Sequence, residues 1–176
     1  MKKIGIIAIA SLFLFACEDS SKQELDNLKK EIKMKTELAD RNKENAKDFF
    51  KALEEKNLDR VVNLFAENGV QENPYNSGIF PTGTEGHEGI RTYWEGPFQN
   101  FGNMEFPIEE IYVMEDPSRV FVKYEGRIAL KNDAGWYKND YYSLFHFDKD
   151  GKILKHVEIF NPIVAAKGFG LLDQIK

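Results

Sequence analysis

Apolar positions recur at helical spacing in the first half of the chain and alternate in the second. Ala46, Phe49, Phe50 and Leu53 make one face of an amphipathic helix, flanked by Lys47, Asp48 and Lys51. Asn57 is placed to cap a second helix, on which Leu58, Val61, Val62 and Phe65 share a face. Asn68-Gly69 is expected to stop that helix through a left-handed cap. The next stretch, from Val70 to Pro81, carries Pro74 and Gly78 and has room for at most a pair of short strands. Gly86 then opens a third helix with Ile90, Tyr93, Trp94 and Phe98 on one side.

Beyond that helix the period drops to two. Phe106 and Ile108, followed by Ile111 and Val113, predict one strand whose parity slips at Glu109-Glu110, the mark of a bulge. After a turn at Asp116-Pro117-Ser118, one face of the next strand reads Val120, Val122, Tyr124, Gly126 and Ile128. A loop at Asn132-Asp133-Ala134-Gly135 leads into two more alternating runs, joined at Asp150-Gly151, a strong hairpin signal. A two-residue turn there pairs Phe147 with Leu154, Phe145 with His156, Ser143 with Glu158 and Tyr141 with Phe160. Tyr137, Asn139, Tyr141, Ser143, Phe145, Phe147, Leu154, His156, Glu158 and Phe160 then share the face toward the helices. Lys138, Asp140, Tyr142, Leu144, His146, Ile153, Lys155, Val157 and Ile159 face outward. A short closing helix over Ile163–Leu172 is broken by Gly168 and Gly170. Helices grouped ahead of an antiparallel sheet define an α+β domain.

The start of the chain reads as a targeting segment. Lys2 and Lys3 precede an uncharged run from Ile4 to Phe15, too short for a mature membrane span, and the chain turns polar directly after Cys17. Leu14-Phe15-Ala16-Cys17 resembles the lipobox of bacterial lipoproteins, which implies a signal peptide over residues 1–16 and a lipid on Cys17. An ordinary signal peptide with an incidental cysteine is the alternative. Cys17 is the only cysteine, so the mature body has neither a disulfide nor a thiol nucleophile. Residues 17–36 are highly charged, with a thin stripe of Leu25, Leu28 and Ile32, and read as a solvated spacer ahead of one domain over residues 37–176. A formal net charge of -5 argues against a nucleic-acid partner.

The runs GHEGIRTYW (Gly86 to Trp94) and YKNDYYSLFHFDKDGKILKHVEIFNP (Tyr137 to Pro162) resemble the SnoaL-like family of the nuclear transport factor 2-like superfamily. The ending is most similar to the phenazine-biosynthesis A/B proteins, through Gly151-Lys152-Ile153, Glu158-Ile159-Phe160 and Asn161-Pro162. The resemblance implies three N-terminal helices packed on a curved antiparallel sheet as a cone. It also implies a ligand pocket in the cone mouth and homodimers formed through the outer face of the sheet. Relatives include isomerases, cyclases, dehydratases and pure binding domains. Glu158 matches the acidic residue to which phenazine-biosynthesis proteins assign acid/base work. Their histidine on the third helix is matched here by Tyr93, and that departure argues against the phenazine condensation itself.

Glu158 is the foremost candidate for chemistry. A carboxyl in an apolar aromatic setting has its charged form disfavoured and can exchange a proton near neutral pH. His156, two residues earlier on the same face, is placed to hydrogen-bond with it. Tyr93 and Tyr141 can donate to a developing oxyanion, Asn139 can orient a polar substituent, and Trp94, Phe145 and Phe160 supply an aromatic lining. A purely structural role, with Glu158 hydrogen-bonded inside the fold, stands as the alternative. His87, His146 and His156 show no metal-binding spacing, and no phosphate loop, dinucleotide fingerprint or nucleophile elbow is present, so no metal or cofactor is expected. The expectation is a lipid-anchored envelope protein that binds a small apolar or aromatic ligand. The enzymatic version is cofactor-free isomerisation, cyclisation, dehydration or hydrolysis. An accessory domain that docks a protein partner is the competing class.

Overall fold

The computed structural model describes the backbone of residues 5–131 and 134–175, and side chains from residue 21 onward. The signal-peptide reading and the lipidation of Cys17 therefore concern side chains outside the described residues. Residues 1–37 and 38–176 form two separate units. The described residues of the first are helical. Leu25, Leu28, Ile32 and Met34 lie exposed on it, among ion pairs such as Lys35 with Glu31. Among the described residues no helix is long and apolar enough to cross a membrane.

Helix α1 has the bounds Gly5–Glu54 and is followed by α2 (Leu58–Leu64). The Asn57 side chain accepts the Arg60 backbone N–H at 3.0 Å, the cap expected there. Helix α2 ends at Leu64, four residues before Asn68-Gly69. Phe65 takes an extended backbone and opens strand β1 (Phe65–Glu72), which absorbs the expected stop signal into a register shift between Phe65 and Val70. After β2 (Gly83–Glu85) and α3 (Gly86–Asn100) comes a strand that was not expected, β3 (Phe101–Glu105), and then the expected bulged strand, β4 (Ile108–Val113). Both pair with β5 (Arg119–Leu130), and the bulge falls between Ile108 and Glu110 as the parity slip implied. Strands β6 (Trp136–Phe147) and β7 (Ile153–Phe160) follow, then α4 (Pro162–Gly168) and a 3₁₀ turn at Leu172–Gln174.

The sheet has the order β2-β1-β7-β6-β5-β3, with β4 also on β5. All pairs are antiparallel but one: β1 joins β7 in parallel, so the sheet is mixed. Four helices pack on this curled half-barrel, an α+β architecture. The expected register of β6 on β7 holds from Tyr141↔Phe160 to His146↔Lys155 and then shifts, because Phe147 pairs with Ile153. Leu154 is the extra residue of that bulge and points outward, while Ile153 is fully buried, the reverse of the sequence expectation. The turn runs Asp148–Lys152, closed by the Asp148 N–H donating to the Lys152 carbonyl at 2.9 Å. Gly151 takes φ +83 there, and a side chain would collide with Asn45 and Arg41, which come from α1 to bond this turn.

Phe49 of α1 is the hub of the core. Its ring lies within 6.0 Å of Phe50, Phe65, Trp94, Phe145 and His156 and is fully buried. This packing fills the interior where β6 and β7 approach their turn. Toward the other end of the same strands the interior opens.

Candidate functional site

Successive inward positions along β6 and β7 step from packed core to open cavity. Phe145 and His156 lie opposite each other in the core, their rings stacked at 4.4 Å. One pair further on, Ser143 faces Glu158, and after that Tyr141 faces Phe160. From Glu158 outward the residues line a cavity of about 1180 Å³ between the sheet, α3 and α4. Phe80, Tyr93, Trp94, Phe101, Phe106, Tyr141, Phe160 and Phe169 supply aromatic walls. Met104, Ile128 and Leu130 add aliphatic surface, and the lining reaches exposed residues at Thr92, Asn100 and Gly170. Among the described residues, Glu88 and Glu158 are the only ionisable side chains on the lining besides the tyrosines, and none is basic.

Glu158 is 8 % exposed, and its Oε1 accepts the Tyr124 hydroxyl at 2.8 Å. Burial pushes its pKa from 4.5 to about 7, against the opposing pull of the Tyr124 bond. Tyr124 is itself fixed by stacking on Tyr141 at 5.2 Å, and burial raises its pKa, as it does those of Tyr93 and Tyr141. These phenols therefore remain protonated donors. Tyr141 can lie flat because Gly126 is beneath it; a Cβ there would stand 2.6 Å from the ring.

Glu158, Tyr93, Tyr141, Trp94 and Phe160 thus share one cavity. Asn139, Phe145 and His156 do not line it. Asn139 donates to the Tyr137 hydroxyl at 2.7 Å and to the Asn161 carbonyl at 2.9 Å, and borders a separate groove of about 450 Å³. Phe145 is fully buried between Phe49 and His156. His156 is also fully buried, and it bonds Ser143 Oγ and Gln71 Oε1, each at 2.7 Å, rather than Glu158. The strand's rise per residue separates a same-face neighbour from Glu158 by two positions, and closer partners on β6 and β1 satisfy both ring nitrogens. Burial drives its pKa down to about 3. His87 Nε2 donates to the Phe65 carbonyl at 3.0 Å. Among the described residues no group of three or more His, Cys, Asp or Glu side chains comes together as a metal ion would need.

Tyr124, Gln71, Asn73 and Phe169 were not singled out from sequence. Tyr124 was legible as an inward residue of β5, and a phenol opposite a buried carboxylate is the signal that could have found it. Gln71 in β1 and Asn73 just beyond its end are polar at alternate buried positions, a pattern that calls for buried partners. The partners become visible only once β1 is known to lie beside β7.

A curled sheet enclosing an aromatic cavity with one buried carboxylate is the architecture of a small-molecule-binding α+β cone. The chain belongs to the family of SnoaL-like domains, whose family model matches residues 46–156. It is similar to the phenazine biosynthesis proteins PhzA1 and PhzA2 of Pseudomonas aeruginosa. Identity is 29% over 117 residues (64% of this chain and 72% of the relative) and 27% over 144 residues (80% and 88%), respectively. The crystal structure of the phenazine biosynthesis-related protein phzb2 from Pseudomonas aeruginosa shares the fold, with a TM-score of 0.68 at 20% identity, covering 80% of this chain and 92% of that one.

Proposed function

We propose that this chain is a lipid-anchored envelope protein whose cone takes up a small, partly apolar molecule and exchanges a proton with it at Glu158, without a cofactor. The observation that carries the reading is a carboxyl with a pKa of about 7 on the wall of an aromatic cavity with no basic side chain among the described residues. Near neutral pH such a group is present in both protonation states, as a general acid/base must be. The relatives' part in phenazine biosynthesis supports small-molecule chemistry in this cone. Tyr93, in place of their helix-borne histidine, supports a different reaction.

The outer face of the sheet supports a second element of the reading, a homodimer. Tyr112, Phe121, Leu144 and Val157 pair in one row across four strands, an apolar band on the face away from the helices. Native mass spectrometry of protein purified from its own source tests both. Dimer masses carrying a bound small molecule are expected. Ligand-free monomers only would remove the dimer and leave the binding role without support, favouring an accessory domain.

The anchor has its own test. Cys17→Ala is expected to abolish uptake of labelled palmitate and shift the protein out of the membrane fraction, since a diacylglycerol's two acyl chains suffice for stable anchoring. Unchanged labelling and partitioning would exclude the lipid on Cys17.

A further inference from the structure

One chain of buried amides runs from the core to the cavity wall, and its polarity is set at one end. Asn73 Nδ2 lies 3.1 Å from the Pro81 carbonyl, which can only accept. A flipped Asn73 would set two acceptor oxygens against each other, so the amide nitrogen is on this side. The same Nδ2 donates to the Tyr93 hydroxyl oxygen at 2.5 Å. Asn73 Oδ1 therefore faces Gln71 and accepts its Nε2 at 3.2 Å, which turns Gln71 Oε1 toward His156 Nδ1. That nitrogen must carry the ring proton, and Nε2 then accepts the Ser143 hydroxyl. Every member from His156 to Tyr93 has one allowed orientation; Ser143 Oγ also lies 3.4 Å from the Tyr124 hydroxyl but is nearer to His156 Nε2. The chain ends on the Tyr93 oxygen, which already accepts a hydrogen bond. Among the described residues the Tyr93 hydroxyl accepts from Asn73 and donates no hydrogen bond. Tyr93 lines the cavity, and the Glu158 charge acts on it. Trp94, next on α3 and on the same lining, has its indole N–H without an acceptor among the described residues.

We infer that Gln71 and Asn73, backed by His156, are positioning residues that commit the Tyr93 hydroxyl to donate into the cavity, so that the cavity selects ligands presenting an accepting oxygen such as a carbonyl. The inference rests on the ligand-binding reading above and names the class of molecule bound. His156 stays neutral at every ordinary pH because burial holds its pKa near 3, so the polarity of the chain does not reverse. A carbonyl that accepts from Tyr93 also comes under the influence of Glu158, the group that can exchange a proton with it.

The test uses the full-length protein and two probes of one shape, acetophenone and α-methylstyrene, which differ in having C=O or C=CH₂. In the wild type the carbonyl stretch of bound acetophenone is expected at lower frequency than in an apolar solvent. Tyr93→Phe removes the donor. Asn73→Asp offers the Tyr93 proton a carboxylate to turn toward. Both are expected to lose the frequency shift and to weaken acetophenone relative to α-methylstyrene about two- to tenfold, the range of one net hydrogen bond. Tyr93→Phe lacks only one oxygen, so it keeps the test decisive even if Asn73→Asp folds poorly. An unshifted carbonyl in the wild type, or a full shift retained in folded Asn73→Asp, overturns the inference while binding of both probes leaves the cavity reading standing. Binding of neither probe overturns both.

Discussion

Phe49→Ala is expected to lower the free energy of unfolding by about 3–5 kcal/mol, the range for emptying a buried aromatic site. Phe49 is fully buried and meets five rings drawn from every layer around it: Phe50, Phe65, Trp94, Phe145 and His156. Those neighbours belong to α1, β1, α3, β6 and β7, so no single element can shift to fill the space without breaking contacts elsewhere. A second effect follows at His156, whose ring is 4.7 Å from that of Phe49. With Phe49 gone, water can approach the imidazole, and a pKa held near 3 by burial is expected to rise. Urea unfolding gives the stability, and histidine NMR titration gives the pKa. A loss under about 1 kcal/mol would show that the core is not organised around this ring.

Glu158→Gln is expected to become more stable relative to the wild type as pH rises. The wild-type carboxyl titrates at about 7 in the folded protein against an ordinary 4.5, so the folded state holds the extra proton between those values. Stability from the neutral carboxyl is present below about pH 4.5 and is lost as pH rises through about 7. Glutamine is neutral throughout and can still accept the Tyr124 hydroxyl. The difference between the two proteins should open by roughly 3 kcal/mol at most across that window. His156 has the opposite sign: its folded pKa of about 3 lies below the ordinary 6.5, so its contribution is lost as pH falls through about 3. It is common to both proteins and cancels in the difference. Denaturant melts at stepped pH values check this, and a flat difference would mean that Glu158 ionises as an ordinary carboxylate. On the molecule recovered with the protein, the same variant should lower turnover by about 10²–10⁴-fold, the usual contribution of a positioned acid/base.

Local chemistry decided how much of this was readable in advance. The inward face of β6 followed from strict alternation, and all six of its members are buried. The cross-strand pairs that bring Ser143 to Glu158 and Tyr141 to Phe160 hold even though the turn is longer than two residues, because the bulge at Leu154 restores the count. The end of α2 was misplaced because Asn68-Gly69 is equally at home in an irregular strand, and only the pairing of β1 with β7 selects that use.

The sequence by itself determined the layers of this protein and the side of the sheet on which its carboxylate lies, since both depend on periods of two and 3.6 within contiguous runs. Which inward residues border the open cavity was decided only by tertiary structure. His156, Glu158 and Phe160 are equivalent in the alternation of β7, yet the first is sealed under Phe49 and the other two line the cavity. The depth at which the helices stop filling the sheet makes that difference. Likewise Gln71 reaches His156 across 85 residues of chain through one parallel strand pair, a contact to which no local pattern in the chain corresponds.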